Sequence, residues 1–180
     1  MNRIMRSSLA LVFGVLCLAG CDALSGVSDP TSNAPELAGA WCVTYPNQNA
    51  TTELIQFDAT GDPITYKEAT PGGPLSLFLG VSELTLDGQA HSTSAGYDYA
   101  ATGWASVDGN NVQVIVDIRY YAPGSSIQVA SQQQTVTAQL TSSDKMEGTY
   151  VYQHYIPLPD IPVPAYQEGA VVATRGGQCP

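Results

Sequence analysis

From Gly39 onward the chain alternates apolar and polar residues with a period of two, and turn residues break the alternation about every ten positions. No stretch sustains apolar residues at a 3.6-residue period, so the pattern predicts strands with little or no helix. The clearest strand is 112–121, where Val112, Val114, Val116, Ile118 and Tyr120 fall on one face while Gln113, Asp117 and Arg119 fall on the other. Asp108-Gly109-Asn110-Asn111 ahead of it supplies residues that tolerate positive φ in a tight hairpin. Asp87-Gly88 signals a second hairpin, between strands at 81–86 and 89–94. The same reading places strands at 41–45, 54–58, 64–69, 97–106, 127–140 (bent or bulged, being long), 146–155 and 166–174. Turns at Thr60-Gly61-Asp62, 70–74, Pro123-Gly124 and 142–145 separate them.

Residues 1–38 have none of this alternation. Arg3 and Arg6 precede an apolar run from Leu9 to Ala19, about eleven residues long and far short of the roughly 20 that span a bilayer. The run closes on Leu18-Ala19-Gly20-Cys21, which resembles the lipobox of bacterial lipoprotein precursors. That resemblance implies that residues 1–20 are a signal peptide, that the Cys21 thiolate is alkylated by a diacylglyceryl group, and that the mature chain hangs by fatty acyl chains from a membrane of the cell envelope. Asp22 is similar to the residue that retains some such proteins in the inner membrane; the choice of membrane stays open. Residues 21–38 read as a tether, since 22–36 is rich in Ser, Asp, Asn and Pro and buries too little to offset chain entropy. As a flexible coil it holds the domain about 20 Å from the bilayer.

Residues 39–180 suffice for one domain around one core. Eight to ten sequential strands joined by short turns make an up-and-down antiparallel meander, and closing it into a barrel removes edges that would template aggregation. Of four cysteines, Cys17 leaves with the signal and Cys21 is lipidated, so Cys42 and Cys179 form the one available disulfide in an oxidising compartment. They lie in the first strand and just past the last, and a bridge needs Cα atoms within about 7 Å, so the ends of the sheet meet. The fold class is therefore all-β, a single lipocalin-like barrel or, alternatively, a β-sandwich with adjacent termini.

Charge narrows the partners. Of six basic residues, two depart with the signal, leaving Lys67, Arg119, Lys145 and Arg175 against sixteen acidic ones, a net charge of −12 for the mature chain. Four scattered cations build no phosphate-binding surface, which excludes nucleic acid, and the acidic surface is repelled by anionic headgroups, so the lipid does the anchoring.

Catalytic raw material is sparse. His91 and His154 sit in separate strands with no third nitrogen ligand, no HExxH and no Cys/His cluster, so no metal site is expected. Gly-x-Ser-x-Gly, P-loop and dinucleotide motifs are absent, leaving no catalytic residue and no cofactor to assign. Carboxylates are plentiful, and a facing pair in a groove would support a hydrolase, but Asp58, Asp62, Asp87, Asp108 and Asp144 fall in turns, where Asp serves local hydrogen bonds. The 58–62 turn carries only a fragment of a calcium loop. Aromatics remain as candidates for lining a pocket or filling a core: Trp41 and Tyr45 share one strand face, Tyr97 and Tyr99 a second, Tyr150 and Tyr152, with His154, a third. Four prolines within 156–164 forbid a ladder strand there; the segment reads as a stiff loop that covers one barrel end or docks a partner.

Leu37-Ala38-Gly39-Ala40-Trp41 at the first strand resembles the Gly-x-Trp opening of lipocalin-like (calycin) barrels. The resemblance implies that Trp41 plugs the closed end of a barrel and that a late arginine, here Arg175, packs across it. Together these features lead to a non-enzymatic, membrane-anchored envelope lipoprotein binding a small apolar ligand or an envelope protein. The alternatives are a structural or assembly lipoprotein with a filled barrel and, third, an extracytoplasmic hydrolase built on a carboxylate pair.

Overall fold

The computed structural model describes residues 34–48, 51–68, 75, 79–93, 96–155, 166–176 and 179. Residues 1–33, with the expected signal peptide, Cys21 and most of the expected tether, and the proline-rich segment lie outside the described residues. Ten strands are present: β1 (Gly39–Tyr45), β2 (Thr51–Phe57), β3 (Pro63–Glu68), β4 (Glu83–Thr85), β5 (Asp87–His91), β6 (Asp98–Asp108), β7 (Asn111–Tyr121), β8 (Gln128–Ser142), β9 (Lys145–Tyr155) and β10 (Tyr166–Arg175). Each matches a strand that the alternation predicts.

They form one antiparallel sheet in the order β4-β3-β2-β1-β10-β9-β8-β7-β6-β5. Every sequential pair is hydrogen-bonded except β4 and β5, and β1 pairs with β10, so the meander is a nearly closed barrel rather than a sandwich. Register follows the alternation. Val112, Val114, Val116, Ile118 and Tyr120 are buried on the inner face of β7, and Val136, Ala138 and Met146 meet them from β8 and β9. The long strand β8 is irregular, as its length suggests, with a register shift between Leu140 and Ser142. Packing starts earlier than the strand pattern alone indicates. A 3₁₀ turn over Pro35–Leu37 buries Leu37, and Ala34 N–H donates to Thr60 O at 3.1 Å.

The Asp87-Gly88 signal needs correcting. The chain does reverse there, with Gly88 at φ +72°, but the arms splay instead of pairing as a hairpin. β4 bonds to β3 and β5 to β6, with a register shift between Asp87 and Ala90. Two forces separate the arms: Leu84 and Leu86 are drawn into the core, and Leu86 N–H is held by Ile64 O at 3.0 Å. Below the reversal β3 and β6 close on each other directly, and a Cβ at Gly103 would lie 2.5 Å from the Pro63 ring. The barrel is thus zipped on nine interfaces and wedged shut on the tenth.

Cys42 and Cys179 are disulfide-bonded, with Cα atoms 5.2 Å apart, on the outer face of β1. The bridge closes a loop of 137 residues, for which chain entropy assigns about 4 to 5 kcal/mol. A Cys42→Ser, Cys179→Ser double variant is expected to keep its circular-dichroism spectrum and lose up to about 4 kcal/mol in chemical denaturation. Face assignment has its own test. Val116→Asp places a carboxylate in the apolar interior and should cost on the order of 3 kcal/mol, whereas Gln113→Asp on the outer face should be nearly neutral; equal losses would contradict the register.

Candidate functional site

The interior divides into two halves of different chemistry. At one end Trp41 is fully buried and its indole N–H donates to Leu37 O at 2.8 Å. Arg175, opposite Trp41 in the β1–β10 register, lies with its guanidinium 4.6 Å from the ring centroid. Its Nη atoms donate to Ala38 O and Glu36 O, and Nε to Ser143 O at 3.1 Å. A cation–π contact at an exposed site contributes about 0.5–1 kcal/mol, a hydrogen bond from a charged donor about 1.5–3. The backbone oxygens therefore fix Arg175 as a clamp across the plug. Beyond Trp41 the barrel is apolar and full: Val43, Ile55, Phe57, Val114, Met146 and Val171 surround a void of about 10 Å³, at the lower limit for a single water molecule.

The opposite end is lined by polar and aromatic side chains. Glu53 projects inward from β2, its carboxylate accepting hydrogen bonds from Tyr45 (2.5 Å), Tyr66 and Gln134 (3.3 Å); Gln134 also donates to the Tyr45 hydroxyl. Glu53 faces Glu68 across the β2–β3 pairing, and Glu68 accepts the Leu75 N–H at 2.6 Å. Tyr120 donates to Gln132 at 2.7 Å, and Gln48 to Tyr150 at 2.5 Å. Tyr150 packs edge-on against Tyr45 at 4.8 Å and over Gly169, where a Cβ would come within 2.9 Å of its ring. No lysine or arginine is among the groups acting on Glu53. Burial raises its carboxyl above the usual range, outweighing the three donors that favour the anion. Burial, with the neighbouring Glu53, also holds the Tyr45 and Tyr66 hydroxyls protonated. Two buried polar atoms at this end, Tyr152 Oη and His154 Nε2, have no hydrogen-bond partner among the described residues, and burial keeps His154 neutral.

The aromatics separate into roles. Trp41, Tyr45, Tyr99 and Tyr150 are buried; Tyr97 and Tyr152 pack against the core from its edge. Tyr99 stacks on His91 at 5.0 Å, and its hydroxyl accepts the Thr85 N–H at 3.4 Å, tying β6 to β4 across the unpaired seam. Among the turn carboxylates, Asp58 accepts the N–H groups of Thr60 (2.8 Å) and Asp62 (3.0 Å), and no group of potential metal ligands forms among the described residues. Glu53, Tyr66, Glu68 and Gln134 were not singled out by sequence, yet a signal existed. Glu53 shares its strand face with Ile55 and Phe57, and Gln134 with Val136 and Ala138, so each is a polar residue in phase with an apolar stripe.

Because the folded state raises the Glu53 pKa, it favours the bound proton; the stability this contributes is complete below the unfolded pKa of about 4.3 and is lost as pH rises through the folded value. Denaturation midpoints measured from pH 4 to 8 should therefore fall with pH more steeply for the wild type than for Glu53→Gln. Parallel curves would show that Glu53 does not titrate in the interior.

Comparison with known family models, curated proteins and solved structures finds no match to this chain.

Proposed function

We propose that this chain is a lipid-anchored protein of the bacterial cell envelope whose barrel is a filled, non-enzymatic scaffold acting through its outer surface. The observation that carries this reading is the packing of the described interior: about 10 Å³ of void around Val43, Ile55 and Phe57, and toward Glu53 side chains hydrogen-bonded to one another. A barrel that holds an apolar ligand needs a cavity of several hundred Å³. The lipobox-like Leu18–Cys21 sequence supports the anchor, and the clamp of Arg175 over Trp41 supports the likeness to lipocalin-like barrels. Against the hydrolase reading, Glu53 and Glu68 are the two carboxylates facing each other inside, and each is engaged by donors of the barrel itself.

A second reading, a ligand seated at the polar end, draws on the unpartnered Tyr152 Oη and His154 Nε2. Native mass spectrometry of protein taken from its own membrane separates the two. The scaffold reading expects the chain from Cys21 with its acyl groups and no further adduct; a stoichiometric small molecule would overturn it. In the same preparation Cys21→Ser should leave the membrane fraction and take up no labelled fatty acid, and persistence of both would overturn the anchor.

A further inference from the structure

Outside the barrel interior, the wall carries a second group of polar and aromatic side chains. A groove of about 400 Å³ runs across β7, β8, β9 and β10 near the Glu53 end; Gln132 and His154 of the inner face complete its lining, and cross-strand register explains its outward side chains. Asp117 pairs with Gln133, Gln133 with Gln153, and Gln153 with Tyr166; beside this row Ser131 pairs with Tyr155. All six point outward, between inward residues such as Val116, Ile118, Gln132 and Gln134. Four strands spaced about 4.8 Å apart make the row roughly 14 Å long.

Three properties of this surface select its ligand. The Gln133 and Gln153 carboxamides and the Ser131 hydroxyl make no hydrogen bond to another described residue, and Asp117 is influenced only by burial and by the charge of Arg119. Carboxamides both donate and accept, which suits adjacent hydroxyl groups. Four large hydrophobic side chains are exposed among the described residues, and two of them, Tyr155 (70%) and Tyr166 (53%), edge this groove. Tyr166 donates to Glu168 at 2.5 Å. Finally, β7 to β10 are each paired on both sides, which leaves no edge for a peptide to add as a strand, and a net charge of −10 with Asp117 in the groove repels anions.

We infer that the groove binds an uncharged oligosaccharide, with the apolar faces of its sugar rings against Tyr155 and Tyr166 and its hydroxyls bonded to Gln133, Gln153 and Asp117. The site rests on outward side chains and does not depend on the anchor. On a lipid-anchored chain it would link a membrane to a neutral polysaccharide of the envelope.

The test uses detergent-solubilised full-length protein titrated with gluco- and N-acetylated chito-oligosaccharides as neutral probes and with oligogalacturonate as the anionic one. At least one neutral series should bind, with affinity rising with chain length. Tyr155→Ala and Gln153→Ala should each weaken binding at least tenfold, while Thr137→Ala, elsewhere on the same wall, should leave it unchanged. These positions are exposed, so unaltered circular dichroism would show that the losses are local. Absence of neutral binding at millimolar ligand, preference for oligogalacturonate, or affinity indifferent to both groove variants would each overturn the proposal.

Discussion

The antiparallel pairing of β1 with β10 is the contact on which the rest of this molecule depends. A ten-stranded meander left open would present two long edges and one uncovered apolar face. Joining its first and last strands makes that face an interior, and the chain reinforces the joint twice: by the Cys42–Cys179 bridge on the outer face, and by Arg175 reaching over Trp41 to bond the backbone leading into β1. Once the tube is closed, its inner residues must fill a fixed volume.

How they fill it differs along the axis. Around Trp41 the solution is apolar close packing; around Glu53 it is a hydrogen-bonded network of phenols, carboxamides and a carboxyl group. The second solution is the costlier, because a buried polar group left unpaired is penalised by more than a paired one gains. Glu53 meets that constraint with three donors and a preference for its proton, and no cation contributes. Tyr152 and His154 are where the network ends unsatisfied.

The wall and the seam were legible to different degrees. Alternation located all ten strands, since each has one buried face and period two is the direct imprint of that burial. It could not say whether the arms around Asp87-Gly88 would pair. A glycine with positive φ serves a hairpin and a splayed reversal equally, and the outcome was set by Leu84 and Leu86 competing for the core. The Glu53 cluster was half visible: a carboxylate in phase with Ile55 and Phe57 is an anomaly on the page, but its partners come from β1, β3 and β8, as much as 81 residues away.

By itself the sequence determined the all-β class, the strand positions and the inward face of β7, because these follow from local period and turn chemistry, while the structure shows the Cys42–Cys179 bridge. Tertiary structure alone decided that the apolar half beyond Trp41 is closely packed, that Glu53 lies among phenols, and that Asp117, Gln133, Gln153 and Tyr166 form a row. The reason is register. A row across four strands depends on how each hairpin aligns its neighbours, and residues dozens of positions apart become adjacent only when the closed barrel fixes that alignment.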